Sequence, residues 1–118
     1  MGQRGVRVVN SRNNRVFLSD LREATGIWQK FAGLMFRPSL DDAAGMIFRP
    51  GRGVHTHFMR FAIDLVYLDE MDRVQAMRTA MRPWRIDMRN AAAVIEANAG
   101  AAGKADLQIG DQLRIETW

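Results

Sequence analysis

The chain contains no cysteine, only three prolines and no long apolar run. The absence of cysteine excludes disulfide bonds, thiolate metal sites and cysteine nucleophiles. A membrane-spanning helix needs about 20 consecutive apolar residues, and a signal peptide needs an apolar stretch of about 7 to 15 residues before its cleavage site. Neither pattern is present, so we predict no membrane partner. The location stays open between the cytoplasm and export with a leader already removed.

Lysine is also scarce, because Lys30 and Lys104 are the only lysines among 17 basic residues. Arginine suits bidentate recognition of phosphate and carboxylate, and the net charge of +4 is compatible with an anionic partner. The arginines are spread from Arg4 to Arg114 without a dense run, as a GC-rich genome also produces. We therefore expect that nucleic acid is not the natural partner.

The length of 118 residues and the 47% content of apolar residues predict one domain, residues 1–118, since domains usually have about 100 to 150 residues. Internal repeats and linkers are absent. Such a chain buries enough apolar surface to fold without a metal ion.

Short apolar segments bounded by turn residues predict a series of strands. Residues 5–10 and 15–19 flank the turn SRNN and predict a hairpin. Ile27, Phe31 and Leu34 have helical spacing and predict a helix from Glu23 to Ala32. The remaining predictions are strands at 45–48, 54–60, 63–69, 74–81, 93–97 and 112–118, a turn at 49–53, a loop or edge segment at 83–90 and a short helix or turn at 102–110.

This pattern predicts an α+β fold that is mostly β. We expect a curved antiparallel sheet or a small barrel with one or two short helices. The segment 63–69, IDLVYLD, is apolar on both faces and predicts a buried strand.

Polar residues stand directly before that strand, in VHTHFMRFA at 54–62. Strand pairing that is interrupted at Phe61 and Ala62 tends to open space beside a sheet. We therefore predict a concave site there, with His55 or Arg60 accessible to solvent.

Six motifs in order are recognisable: GLMFRP (33–38), GMIF (45–48), HTHFMRFAIDLVYLD (55–69), PWR (83–85), AVIEANAG (93–100) and IGD (109–111). Together they resemble the bacterial and archaeal family called Domain of Unknown Function 192. The resemblance implies a compact β-rich fold and a family without an established activity. The chain departs from the family pattern at Ala62, where proline is usual, and at His57, where an aromatic residue is common. The second departure makes His57 a poor candidate for a family-wide metal ligand.

The pair His55 and His57 is the only candidate metal motif. On a regular strand both imidazoles would lie on one face about 6.6 Å apart, a spacing that zinc or copper accepts. Further ligands would have to be carboxylates such as Asp64 or Asp69, because the chain has no third histidine. We predict no metal and no cofactor. The glycine patterns of nucleotide sites and the sequence context of a serine nucleophile are absent as well.

Charged residues beside the apolar segments allow two interpretations. In a structural one, Arg60 or Arg37 pairs with Asp64 or Glu96 and fixes the strands. In a functional one, an arginine is a free anion receptor in a pocket. The predicted ligand-binding residues are His55, Arg60, Asp64, Trp84, Met59 and Arg37.

The leading hypothesis is a small non-enzymatic binding or accessory module for a small anionic or sugar-like ligand. One alternative is a hydrolase-like or metal-assisted enzyme that uses His55 with Asp64. Another is a weak nucleic-acid binder. An enzyme requires His55 and a carboxylate within hydrogen-bond reach, whereas a nucleic-acid binder requires arginines gathered on one face. The sequence does not indicate the oligomeric state.

Overall fold

The computed structural model describes residues 5–24, 40–57 and 59–118, which form ten strands and one four-residue helix. The strands are β1 (Val6–Asn10), β2 (Arg15–Leu18), β3 (Asp20–Glu23), β4 (Ala44–Phe48), β5 (Gly51–His55), β6 (Ile63–Leu68), β7 (Val74–Met81), β8 (Ile86–Ala91), β9 (Ala93–Asn98) and β10 (Leu113–Thr117). The helix, α1, is Ala101–Lys104. No helix in these ranges is long and apolar enough to cross a membrane.

The strands form three open sheets. A five-stranded sheet has the order β3-β4-β9-β6-β7, a three-stranded sheet has the order β10-β1-β2, and β5 pairs with β8 alone. We call the pair of β5 and β8 the ribbon. Every pairing is antiparallel except that of β3 with β4. The predicted fold class is confirmed: the protein is mostly β, with curved and mainly antiparallel sheets.

The strand β6 is enclosed on all sides. Strands β9 and β7 pair with its two edges, and both of its faces are covered. All six of its residues are buried, Asp64 included, and the apolar side chains on both of its faces predict this burial. One core cluster packs Val66 and Leu68 against the three-stranded sheet and α1. A second cluster holds Leu65 and Tyr67 on the opposite face, together with Ala91 of the ribbon.

The two ends of the described chain meet in the three-stranded sheet. Strand β1 pairs with β10 from Val6 opposite Thr117 to Asn10 opposite Leu113. Beyond these pairs, the N–H of Gly5 donates to the carbonyl oxygen of Trp118 at 3.0 Å, and the N–H of Trp118 donates back at 2.9 Å. This sheet therefore depends on contacts between residues that are far apart in sequence.

The predicted pairing around the candidate site was wrong. We expected residues 54–60 to form a strand that pairs with the next one, but β5 ends at His55 and pairs with β8. The reason is that both edges of β6 are already occupied by β7 and β9. The segment 83–90, predicted as a loop or edge segment, contains most of β8.

The predicted start of the helix from Glu23 to Ala32 is also wrong, because Glu23 is the last residue of β3. Residues 25–32 of that helix lie outside the described ranges. Strand β3 was not predicted, since its sequence DLRE is short and mostly charged. Its one buried side chain, Leu21, packs into the first core cluster.

Candidate functional site

Buried Thr56 joins the turn after β5 to the loop before β8. The backbone N–H of Thr56 donates to the carbonyl oxygen of Arg85 at 2.8 Å. Its hydroxyl donates to the carbonyl oxygen of Arg82 at 2.7 Å and accepts from the N–H of Arg85 at 2.8 Å. The N–H of Trp84 donates to the carbonyl oxygen of Thr56 at 3.0 Å. These bonds hold the turn after β5 and the loop before β8 together at one end of the ribbon.

Three rings meet at this end: His55, His57 and Trp84, which we call the ring stack. The ring centroids of His55 and His57 are 5.2 Å apart, and those of His57 and Trp84 are 5.3 Å apart. Both separations lie in the range of favourable aromatic contacts. His57 thus occupies the middle of an aromatic row, which gives a physical reason for an aromatic residue at this position.

Trp84 is held in a conformation that bulky residues rarely adopt. Its φ is +63°, in the left-handed region, and its side chain is 56% exposed. Left-handed backbone costs about 1 to 3 kcal/mol for a residue that is not glycine, and such residues cluster at ligand sites. The loop therefore presents an indole ring to solvent at a cost in folding free energy.

Exposed arginines lie in the two segments that carry the ring stack. Arg60, Arg82 and Arg85 are all exposed, and the backbones of Arg82 and Arg85 are bound to Thr56 as described above. The guanidinium of Arg85 donates to the carbonyl oxygens of Pro83 and Trp84 at 3.4 and 3.3 Å. A guanidinium that is exposed beside aromatic rings can bind a carboxylate or a phosphate in bidentate fashion.

The outer face of the ribbon is apolar. Gly53 lies opposite Met88 and His55 lies opposite Ile86, so all four residues share that face;. Ile86 is 57% exposed and Met88 is 73% exposed. They line an open depression of about 330 Å³ together with Gly53, Val54, His55 and His57, and we call it the ribbon trough.

The inner face of the ribbon carries a buried carboxylate instead. Asp87 accepts hydrogen bonds from the hydroxyl of Tyr67 at 2.8 Å, from Arg78 at 3.1 Å and from Arg89 at 3.2 Å. Burial alone would raise the pKa of Asp87, but these donors hold it below its ordinary value. Burial, and then the bond to Asp87, raises the pKa of Tyr67. This network anchors the ribbon to β6 and β7.

Asp64, another predicted site residue, is bonded to the backbone of neighbouring elements. Its carboxylate accepts from the backbone N–H of Ala80 at 2.9 Å, and from those of Gly100 and Ala102 at 3.1 Å each. It is 1% exposed and tethers β7 and the start of α1 to β6. Its surroundings are therefore structural.

The other predicted residues have different positions. His55 and Arg60 are exposed, in agreement with the expectation that at least one of them is accessible. Met59 is 5% exposed and belongs to the second core cluster. Arg37 lies outside the described ranges. The role of these residues in ligand binding stays a prediction.

Glu96 is another buried acid, in the middle of β9. It lies opposite Met46 on β4 and Leu65 on β6 and is 6% exposed. Burial raises the pKa of Glu96 to about 8. The structural interpretation paired Arg60 or Arg37 with Asp64 or Glu96; the described contacts of the Asp64 carboxylate are with backbone N–H groups, and an arginine partner for Glu96 stays a prediction.

Within the described ranges no three histidine, aspartate or glutamate side chains gather where they could hold a metal ion. The predicted absence of a metal stays a prediction. Sequence reasoning missed Thr56, Ile86 and Met88. The alternation of apolar and charged residues in IDMR, at 86–89, was a signal for a strand there;.

The chain is similar to a family model and to known proteins over most of its length. The model of Domain of Unknown Function 192, described as "Uncharacterized ACR, COG1430", matches residues 8–115. A UPF0127 protein of Thermococcus sibiricus is 28% identical over 92% of this chain and 74% of its own length. A UPF0127 protein of Thermococcus gammatolerans is 31% identical over 88% of this chain and 71% of its own length.

A solved structure has the same fold. It is a candidate transcription regulator from Sinorhizobium meliloti, with a TM-score of 0.79, 22% identity, and coverage of 93% of this chain and 91% of that one. At this identity the likeness concerns the fold alone.

Proposed function

Because the chain belongs to the Domain of Unknown Function 192 family, which has no established activity, we propose a function from its site: a small non-enzymatic module that binds a small anionic or sugar-like ligand. The ring stack and the arginines around it form the binding site. A single observation carries this proposal: the exposed rings of His55 and Trp84 meet the half-buried ring of His57 at one end of the ribbon, where a strained loop also carries exposed arginines.

The chemistry of these groups selects the ligand class. Guanidinium groups favour carboxylate or phosphate oxygens over neutral acceptors. The faces of the histidine and tryptophan rings offer apolar area with polar edges, which suits a flat ligand or the apolar face of a sugar ring. A sugar acid such as glucuronate combines both features.

The enzymatic alternative finds no support in the described contacts. A hydrolase-like site would need His55 within hydrogen-bond reach of the Asp64 carboxylate. That carboxylate is buried and already accepts three backbone N–H groups. The nucleic-acid alternative shares the arginines with our proposal, and its test is given in the Discussion.

The proposal is tested by calorimetry with glucuronate, glucose and methyl phosphate on the native protein and three variants. Glucuronate or methyl phosphate should bind. Arg60→Gln and His55→Ala should each weaken binding about tenfold or more, since a charge-assisted hydrogen bond contributes about 1.5 to 3 kcal/mol. His55→Ala should lower the free energy of unfolding by less than about 1 kcal/mol, because exposed positions tolerate substitution.

Arg22→Gln is the matched control. The Arg22 side chain is 75% exposed on β3 and faces Asp20 at 3.6 Å, outside the site. This variant should bind as the native protein does. The proposal is wrong if none of the three probes binds at millimolar concentration, or if Arg22→Gln weakens binding as much as Arg60→Gln.

A further inference from the structure

Strand β8 carries an inverted pattern of polar and apolar residues. A strand that covers a core usually turns apolar side chains inward and polar ones outward. In β8 the charged Asp87 points inward, while Ile86 and Met88 point to solvent. Seven large apolar side chains are more than about two fifths exposed among the described residues, and Trp84, Ile86 and Met88 supply three of them within five positions.

The inner side of β8 does not require this inversion. Asp87 is one of six buried polar or charged residues in the described ranges, and it needs three donors to be stable there. An apolar residue at position 87 with polar neighbours at 86 and 88 would satisfy the core more simply. The exposed apolar row therefore calls for an explanation outside the core, since contiguous exposed apolar surface usually marks a binding site.

Gly53 gives the trough its floor. A Cβ atom at this position would stand 2.9 Å from the sulfur of Met88 and 2.8 Å from the carbonyl oxygen of Asp87. The φ of Gly53 is +150°, which side chains rarely adopt;. The trough thus exists because residue 53 has no side chain, and it is lined at one end by His55 and His57 of the ring stack.

The two segments that form the ribbon and its loops carry a positive net charge. Residues 51–62 and 82–91 contain five arginines and one acidic residue, the buried Asp87. Elsewhere the chain has twelve basic and twelve acidic residues, so these two segments account for its whole net charge of +4. An apolar trough between two arginine-bearing segments is complementary to a molecule with one apolar part and one anionic part.

We propose, resting on the proposed function above, that the ligand is a free single-chain anionic amphiphile such as an alkyl phosphate or an alkyl carboxylate. Its head group binds Arg60, Arg82 and Arg85 beside the ring stack, and its hydrocarbon chain lies over Gly53 between Ile86 and Met88. The trough volume of about 330 Å³ lies near the lower end of small-molecule sites;. It therefore suits one chain of medium length.

The test measures binding of methyl, butyl, hexyl, octyl and decyl phosphate by calorimetry, each below its micelle concentration. Affinity should rise about two- to fourfold for each added methylene group, since a buried methylene contributes about that factor. The rise should stop when the chain is longer than the trough. Methyl phosphate reports the head-group site alone.

Two pairs of variants localise the chain. Met88→Gln and Ile86→Asn should flatten the dependence on chain length and leave methyl phosphate binding unchanged. Their controls are Met71→Gln and Ile109→Asn, at side chains that are 64% and 70% exposed outside the ribbon. These controls should keep the full dependence on chain length.

The outcomes separate the two proposals. If methyl phosphate binds but chain length has no effect, or if Met88→Gln keeps the full effect, the amphiphile inference is wrong and the proposed function stands. If no alkyl phosphate binds, the amphiphile inference is wrong, and the proposed function is wrong as well only if glucuronate and glucose also fail to bind. If the protein cosediments with vesicles of phosphatidylglycerol and phosphatidylcholine but does not bind free octyl phosphate, the trough contacts a lipid surface and the inference is overturned.

Discussion

The buried acid Glu96 makes the stability of the fold depend on pH. Glu96 lies on β9 between Met46 of β4 and Leu65 of β6. Burial raises its pKa from 4.5 to about 8. The carboxyl is therefore neutral in the folded protein at pH values where it is ionised in the unfolded chain. A group of this kind favours folding below its unfolded pKa, and that contribution is lost as the pH rises through the folded pKa.

We expect Glu96→Gln to remove this loss. Between pH 5 and pH 8 the free energy of unfolding of the native protein should fall relative to that of the variant, by a few kcal/mol. Denaturant unfolding at a series of pH values measures the difference. Glu70→Gln, at an exposed residue in the turn after β6, is the control and should follow the native protein. Parallel curves for native protein and Glu96→Gln would show that Glu96 ionises freely in the fold.

At the scale of elements, β6 carries the core. Leu65 and Tyr67 are both 0% exposed, on the face that the ribbon covers. Asp64 is tolerated on the same strand because three backbone N–H groups bond its carboxylate, whereas a charge at position 65 or 67 would lose its hydration without such donors.

Leu65→Asp and Tyr67→Asp should each abolish cooperative folding. The loss of several kcal/mol per variant is a large part of the roughly 5 to 15 kcal/mol that stabilise a domain. Thermal melting followed by circular dichroism measures it. The control is Val16→Asp on β2, where the side chain is 49% exposed, and it should melt cooperatively. Cooperative melting of both core variants would mean that β6 lies at an edge.

The strands that local patterns determine were predictable, and their distant partners were not. The hairpin of β1 and β2 follows from its turn residues. The buried strand β6 follows from the apolar side chains on both faces of IDLVYL. The pairing of β5 with β8 was not predicted, because two strands of the other sheet lie between them in sequence. Which edge is free to pair depends on the whole sheet.

The same limit applies to the candidate site. His55 and Trp84 were chosen from sequence, and the structure brings both into the ring stack. Asp64 was chosen with them because it follows closely in sequence, yet its carboxylate turns to the N–H groups of Gly100 and Ala102. The direction of a side chain on β6 depends on what packs against each face, which sequence spacing alone does not contain.

At the scale of the whole molecule, charge is unevenly distributed. The arginines look scattered along the sequence, but five of them belong to the two segments that form the ribbon and its loops. Their separation in sequence hid this grouping. An anion that approaches the protein is therefore steered towards the ribbon and its loops.

This grouping should give only weak binding to nucleic acid. If about three arginines contact phosphates, the affinity for an oligonucleotide should fall about 20- to 40-fold between 50 and 200 mM salt. Fluorescence anisotropy with a labelled single strand and with a duplex measures this dependence. Arg22→Gln serves again as the control variant and should not change the dependence on salt. Tight binding that persists at 200 mM salt would favour a nucleic-acid function over a small ligand.

The pairing of β1 with β10 also determines when the protein can fold during its synthesis. Arg7 and Glu116, whose side chains meet across this pair at 2.7 Å, are 109 positions apart. Val8 and Leu18 leave the ribosome early, yet they are fully buried only when the much later first-cluster residues of α1 and β10 cover them. Apolar strands that wait without partners are prone to aggregation. The nascent chain is therefore most vulnerable in the interval before β10 emerges and completes its sheet.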